Sequence, residues 1–380
     1  MIMRQSIPLV MLGVITVSFS CTTKGPDVID PEADKRTETA IIALNKSGAG
    51  ELARYYEVTG TVTQSEYETA NGQALSVPIN AIYEEDEQLW LHSNPTGKII
   101  VLDLSTRRQL AEIDGFPAGD TASLCGMAFS NVSQGWAIAY GARSIFHVDA
   151  RNHVMVGSIP LPGNPTSVAT NDLLNRSQED DFRDNRVYVS LEKDNGTGSL
   201  ATFHSNDPDR VIRELVTFPR PPIFIGINPD NQFMAVIVPG QPEDDPGTFE
   251  IETDPTLFVV DLLIDQIIFG QPFISPPLLE HLGVHPNFAS MTRDSFLYLA
   301  TREGVIRVDT KAWGEFNNIL PGKAYNVVGA DEWTDLLYAV ASDAPNTIER
   351  VPRRGSLLSS VTLDHPVEYI RFVSSNEIAQ

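Results

Sequence analysis

The chain has 380 residues, 42% of them hydrophobic, and its 27 Lys and Arg against 50 Asp and Glu leave a formal net charge of −23. That apolar content supports a packed core, while the surplus of carboxylates disfavours a general attraction to nucleic acid or to anionic lipid. Past the N-terminus no apolar run reaches the roughly 18 residues of a membrane-spanning helix, so a soluble body is expected.

The first segment, MIMRQSIPLVMLGVITVSFS (1–20), places one arginine before an apolar run that is short for a membrane span, the pattern of a secretion signal. Cys21 follows it directly and resembles the acceptor of a bacterial lipoprotein signal. Ser20 suits the position before the cysteine, whereas Ser18 stands where such signals usually carry Leu. An ordinary secretion signal cut nearby is the alternative. Residues 21–38 then read as a lipidated tether: TTKGPDVIDPEADKRTE has no aromatic residue and little apolar periodicity. Thr22 after the cysteine resembles lipoproteins sent to the outer membrane, so the expected address is the bacterial cell envelope. With Cys21 lipidated, only Cys125 remains, and no intrachain disulfide can form.

From residue 39 to 380 short β-branched and aromatic runs alternate with Asp, Asn, Gly and Pro, the signature of strands and turns. Residues 286–319 show the unit most clearly: PNFASMTRD, SFLYLATRE, GVIRVDT and AWGEFNNIL are four successive strands. Such a unit is one propeller blade. The aspartate closing the third strand serves as a ruler: Asp103, Asp149, Asp261 and Asp309, with Tyr56, His204 and Pro352 marking weaker copies. Seven markers predict an all-β, seven-bladed propeller of four-stranded antiparallel blades. PVEYIRFV (366–373) is a first strand lacking partners, and residues 39–64 supply second, third and fourth strands lacking a first. Joined, they close the ring as one blade shared between the two ends of the chain. Aspartate suits the end of the third strand because its side chain accepts hydrogen bonds from backbone N–H groups of the next turn.

NRVYVSLEKDNGTGSLATF (185–203) and DSFLYLATREGVIRVDT (294–310) resemble the repeats of the YncE-like, YVTN-repeat seven-bladed propellers, a group that also resembles bacterial lactonases and quinoprotein dehydrogenases. The resemblance implies the fold. It implies much less about activity, because propellers host binding proteins and enzymes alike.

In a propeller the first strand lines the central channel. The turns from strand two to three share one face with the connections from strand four to one. Lys46, Arg143, Lys193 and Arg302 fall in the former turns, and His285 and His365 in the latter connections, so these side chains are candidates for an anion-binding rim. The bland alternative is solvated turns. Glu303 would join Arg143, Arg302 and His285 in a lactonase-like site, and Cys125 at the start of a first strand reads as a small buried thiol. EDDPGTFEIETD (243–254) and QEDDFRD (178–184) are acidic insertions without the spacing of a calcium loop, so no metal is expected. Nor is a cofactor: a GxSxG elbow, an HExxH helix, a P-loop and a CxxCH haem site are all missing. The expectation is a monomeric, membrane-anchored binding or scaffold module for an envelope protein or a small anionic ligand. A lactonase-like hydrolase is the alternative.

Overall fold

The computed structural model describes residues 38–374 apart from 57–58, 120–122, 172–184, 208, 229–231, 240–254, 273–287, 293–295, 311–312, 314, 332–335, 353–354 and 356. In chain order come β1 (Glu38–Lys46), β2 (Ala49–Tyr56), β3 (Thr61–Thr63), helix α1 (Glu66–Asn71), β4 (Ala81–Glu85), β5 (Gln88–Ser93), β6 (Lys98–Asp103) and β7 (Gln109–Ile113). Next are β8 (Ser123–Asn131), β9 (Gln134–Tyr140), β10 (Ser144–Asp149), β11 (Val154–Pro160), β12 (Asn164–Thr170), β13 (Arg186–Glu192), β14 (Gly198–His204) and β15 (Arg213–Phe218). The remainder are β16 (Phe224–Ile227), β17 (Phe233–Val238), β18 (Thr256–Asp261), β19 (Gln266–Pro272), β20 (Ala289–Met291), β21 (Phe296–Thr301), β22 (Gly304–Asp309) and β23 (Phe316–Asn318). The chain ends with β24 (Tyr325–Ala330), β25 (Leu336–Ala341), β26 (Thr347–Pro352), β27 (Ser359–Thr362) and β28 (Val367–Ser374).

These strands form seven four-stranded antiparallel sheets arranged as a ring. Six blades use four consecutive strands; the first has the order β28-β1-β2-β3, so the two ends of the chain share it. All seven markers read from the sequence end a third strand: Tyr56, Asp103, Asp149, His204, Asp261, Asp309 and Pro352. The acidic insertions at 178–184 and 243–254 lie outside the described residues. None of the helices among the described residues is long and apolar enough to cross a membrane.

Alternation along the middle strands sends apolar side chains to both faces of each blade, where they meet the neighbouring blades. The core is accordingly divided into seven clusters, one between each adjacent pair of blades. The cluster across the closing pair joins Ile42, Leu44 and Tyr55 of the first blade to Tyr338, Val340 and Ile348 of the seventh.

The turn from strand three to four is built the same way several times. Asp103 Oδ1 accepts the backbone N–H groups of Ser105 (3.1 Å) and Thr106 (2.7 Å), and Asp149 does the same for Arg151 and Asn152 (3.0 Å each). Asp261 accepts from Leu263 at 2.7 Å. Six of these turns place one residue in the left-handed region: Gly60, Arg107, His153, Arg210, Asp265 and Gly355 have φ from 43° to 85°.

Four of these six are not glycine, and their side chains reach back to the preceding blade. His153 contacts Gln88 (3.1 Å) and the Trp90 ring (5.6 Å). Arg210 lies over Trp136 at 5.0 Å and meets His147 Nδ1 at 3.4 Å. Asp265 pairs with Arg186 (3.3 Å) and Arg213 (3.6 Å), while Arg107 is buried beside Arg54 and Glu66. In the seventh blade Gly355 takes the place, and a β-carbon there would lie 2.8 Å from the Ile319 carbonyl oxygen of the sixth. The turn thus acts as a clasp between consecutive blades.

Each of four blades also carries a bulge where its outer strand pairs with the third, shifting register at Val101/Leu102, His147/Val148, Leu200/Ala201 and Val259/Val260. A bulge adds one residue and re-aims its side chain. That accounts for the exposed Leu110, Val156 and Ile268, each of which is the unpaired residue of its outer strand.

Candidate functional site

The sequence-derived rim residues are found in the expected connections. Arg143 follows β9, Lys193 follows β13, Arg302 follows β21, Lys46 ends β1, and His365 precedes β28. His285 lies outside the described residues.

Most of these cations engage carboxylates of the chain itself. Arg143 bonds both oxygens of Asp194 (3.0 and 3.3 Å) and the Pro162 carbonyl (3.2 Å). Lys193 reaches Glu214 at 2.5 Å, which turns it toward the outer strand β15. Lys46 Nζ is 3.4 Å and His365 Nε2 3.9 Å from Glu51, whose side chain is only 8% exposed. Arg302 and its neighbour Glu303 are exposed. An anion arriving at Arg143 or Lys193 must compete with a carboxylate already bonded there.

A different set of residues meets at the centre. Six first strands, β4, β8, β12, β16, β20 and β28, line a cavity of about 200 Å³ on the channel axis. Its polar lining is Tyr83, Ser167, Ser290, Tyr369 and Arg371, with Cys125 buried in the wall. Among the described residues the lining includes one cation and no carboxylate.

The hydrogen bonds around these groups leave donors facing the cavity. Ser167 Oγ accepts the Ile225 N–H (3.2 Å) and Ser290 Oγ accepts the Ala330 N–H (3.1 Å), so each hydroxyl retains its own proton to donate. Burial pushes the phenols of Tyr83 and Tyr369 above their ordinary value, against a smaller downward pull from the nearby Arg371 guanidinium. Both therefore remain protonated donors across the physiological range. Cys125 donates long contacts to the Ile138 (3.6 Å) and Pro165 (3.8 Å) carbonyls, and burial pushes its thiol up to about 12. A thiol so placed is a packing group and a poor nucleophile, in keeping with its sequence reading.

Behind the channel wall, the His92 ring lies 4.9 Å from the ring of Tyr83. His92 is fully buried, neither ring nitrogen has a hydrogen-bond partner, and burial lowers its pKa to about 3. Its neutral imidazole supports Tyr83 without adding charge. Among the described residues no group of three His, Cys, Asp or Glu side chains is placed to hold a metal.

The loop-based reading did not find Arg371, Tyr369 or Tyr83. The available signal was an arginine inside the apolar first strand PVEYIRFV, a strand type that lines the channel.

Comparison with known proteins bears on the fold. No family profile matches the chain, and no curated protein sequence does. Solved structures do: a candidate 6-phosphogluconolactonase from Bacteroides fragilis is 14% identical with a TM-score of 0.58, covering 90% of this chain and 100% of that one. A protein of unknown function from Desulfotomaculum acetoxidans is 11% identical with a TM-score of 0.60, covering 88% and 98%. Hydrazine synthase from Kuenenia stuttgartiensis is 12% identical with a TM-score of 0.56, covering 83% and 90%. At these identities the likeness establishes the class, a seven-bladed β-propeller, and leaves the activity to be argued from the site.

Proposed function

We propose that this protein is a small-ligand-binding propeller of the bacterial cell envelope, tethered by a lipid on Cys21, with its binding site in the central channel. The observation that carries the reading is the channel itself: a cavity of about 200 Å³ whose polar side chains come from several blades. Cavities lined by apolar side chains with a few convergent polar groups are where small molecules bind. Support for the envelope address comes from the short apolar segment before Cys21 and the polar stretch after it. The YncE-like resemblance belongs to the same proposal, and its quoted segments form the strand pairs β13/β14 and β21/β22.

A thermal-shift screen of small metabolites against the wild type and a channel-filling Val168→Phe variant tests the reading. Ligands that stabilise the first and not the second support it. If every stabilising compound acts equally on both, the site is elsewhere.

A second reading, lactone hydrolysis, draws on the fold likeness to the candidate lactonase and on the grouping of Glu51, His365 and Lys46. A carboxylate beside an imidazole is an acid–base pair. Proton release from glucono-δ-lactone, followed in wild type and Glu51→Gln, separates this reading from simple binding.

A further inference from the structure

We propose that the face bearing the turns from strand three to four lies against the lipid bilayer, with Leu110, Val154, Val211, Ile264 and Leu358 dipping into its interfacial region. This rests on the envelope reading above and names the surface that meets the membrane.

The placement of apolar side chains is the first argument. Ten large apolar side chains are exposed among the described residues, and every one follows the end of a third strand by no more than seven residues. They include Leu110 of the second blade, Val154 of the third, Val211 of the fourth, Ile264 of the fifth and Leu358 of the seventh, each between 48% and 67% exposed. The common up-and-down course of the strands puts these positions at one end of the blades. The opposite face, which holds Arg143, Lys193 and Lys46, has none of the ten. Exposed apolar residues scattered singly are ordinary, whereas their confinement to one edge of five blades marks an interaction surface. Projections spread round a ring are met together by a flat apolar layer, and a bilayer is one.

The exit of the chain is the second argument. β1 is a second strand and so starts at this same end: Thr39 pairs with Tyr56, the last residue before the first blade's own turn from strand three to four. Cys21 is joined to Glu38 by residues 22–37, which span at most about 60 Å. For the opposite face to meet a bilayer that holds Cys21, the chain must first run the height of the blade, about 30 Å at the length of β1. The near face needs no such detour.

Charge decides the kind of lipid. Arg108, Arg151 and Arg213 are exposed among the apolar positions, where the stem of such a side chain lies along apolar surface and the guanidinium stays at headgroup level. Asp86 and Glu87 are exposed on the same face, since the Glu87 carbonyl accepts the Leu104 N–H at 2.8 Å, and the chain carries −23 overall. Attraction to anionic headgroups is therefore not the driving force. The contact depends on apolar burial in a bilayer of zwitterionic lipid.

The test uses the secreted Cys21→Ser protein and phosphatidylcholine vesicles, so that no acyl chain contributes. Bimane on Ile264→Cys or Leu358→Cys, with Ala118→Cys in an exposed connection of the opposite face as reference, reports which face meets lipid; Cys125 is buried away from the reagent. At millimolar lipid the protein should sediment with the vesicles, and doxyl-labelled lipid should quench the first two labels but not the third. Leu263→Ser with Ile264→Ser should weaken partition about tenfold, as should Leu357→Ser with Leu358→Ser, at an unchanged unfolding temperature. Salt should change it less than twofold, about the margin left by a contact without net charge attraction. Absence of binding, equal quenching at Ala118→Cys, partition indifferent to both serine pairs, or binding confined to phosphatidylglycerol vesicles would overturn the proposal. So would a wild-type dimer in sedimentation velocity that the serine pairs abolish, which would assign the face to a second copy. Lipid-bound rim labels alongside an unmodified Cys21 in wild type would remove the tether and keep the face, whereas an acylated Cys21 with unquenched rim labels would remove the face and keep the tether.

Discussion

Ile42 of β1 pairs in antiparallel register with Ile370 of β28, and both side chains are buried in the cluster shared with the seventh blade. The pair therefore joins the two ends of the chain within the first blade and packs that blade against the seventh. Deleting residues 39–64 removes the three strands that cover β28 and exposes its edge, which favours aggregation. Deleting 22–34 removes only residues ahead of β1. The first truncation should lose cooperative thermal unfolding, and the second should unfold within a few degrees of the full chain. Similar transitions for both would contradict a shared blade.

The clasp formed by Asp265 offers a local test of how neighbouring blades are held. Its carboxylate is 14% exposed and faces Arg186 (13%) of the preceding blade at 3.3 Å, with Arg213 at 3.6 Å. A pair at this depth is worth more than a surface ion pair, and removing one partner leaves the other poorly solvated. Asp265→Ala loses the pair and also strains a backbone held at φ 56°, a conformation that Asn tolerates better. The expected loss is about 2–3 kcal/mol for Asp265→Ala and about 1–2 kcal/mol for Asp265→Asn. Urea unfolding measures both, and a double-mutant cycle with Arg186→Met isolates the pair. Additive effects in that cycle would show that the two side chains do not interact.

The fold was legible because third strands end on residues with a fixed job. Asp103, Asp149 and Asp261 each accept turn N–H groups, a local requirement that leaves a mark in the sequence, and counting from those marks also located Tyr56, His204 and Pro352. The channel was harder to read. First strands β8, β12 and β24 shift register at Leu124/Gly126, Pro165/Ser167 and Tyr325/Val327, so strict alternation no longer tells which side chains face inward. The clasps left even less signal, since Arg107, His153, Arg210 and Asp265 occupy a backbone region more readily associated with glycine. Arg143 and Lys193 were placed in the correct turns, but their pairing with Asp194 and Glu214 depends on neighbours distant in the chain or across a hairpin.

The proposed lipid attachment at Cys21 predicts a simple redistribution. Each methylene buried in a bilayer contributes about 0.8 kcal/mol, and two or more acyl chains hold a protein that a single chain does not. Cys21→Ser should move the protein from the membrane fraction to the soluble extracytoplasmic fraction while leaving its unfolding temperature unchanged. Mass spectrometry of the mature N-terminus gives the direct check: an unmodified first residue rules the anchor out.

His92 makes the stability of the second blade depend on pH in a direction that can be worked out. Burial lowers its pKa to about 3, below the ordinary histidine value of 6.5. The unfolded chain therefore takes up a proton between those values while the folded protein does not, so the stability contributed by neutral His92 is complete above about pH 6.5 and is lost as pH falls toward 3. For one group the slope cannot exceed about 1.4 kcal/mol per pH unit, which makes the loss between pH 7 and pH 5 about 2 kcal/mol. His147 and His153 are lowered by burial too, His147 also by Arg210, and they act in the same direction. The measurement is the difference in urea unfolding free energy between pH 7 and pH 5 for wild type and His92→Phe. Because each protein is compared with itself, any packing cost of the larger ring cancels. His92→Phe should lose about 2 kcal/mol less than wild type over that interval. Parallel pH dependences would mean that His92 is charged or solvated in the folded state, and that Tyr83 stands against an imidazolium instead of a neutral ring.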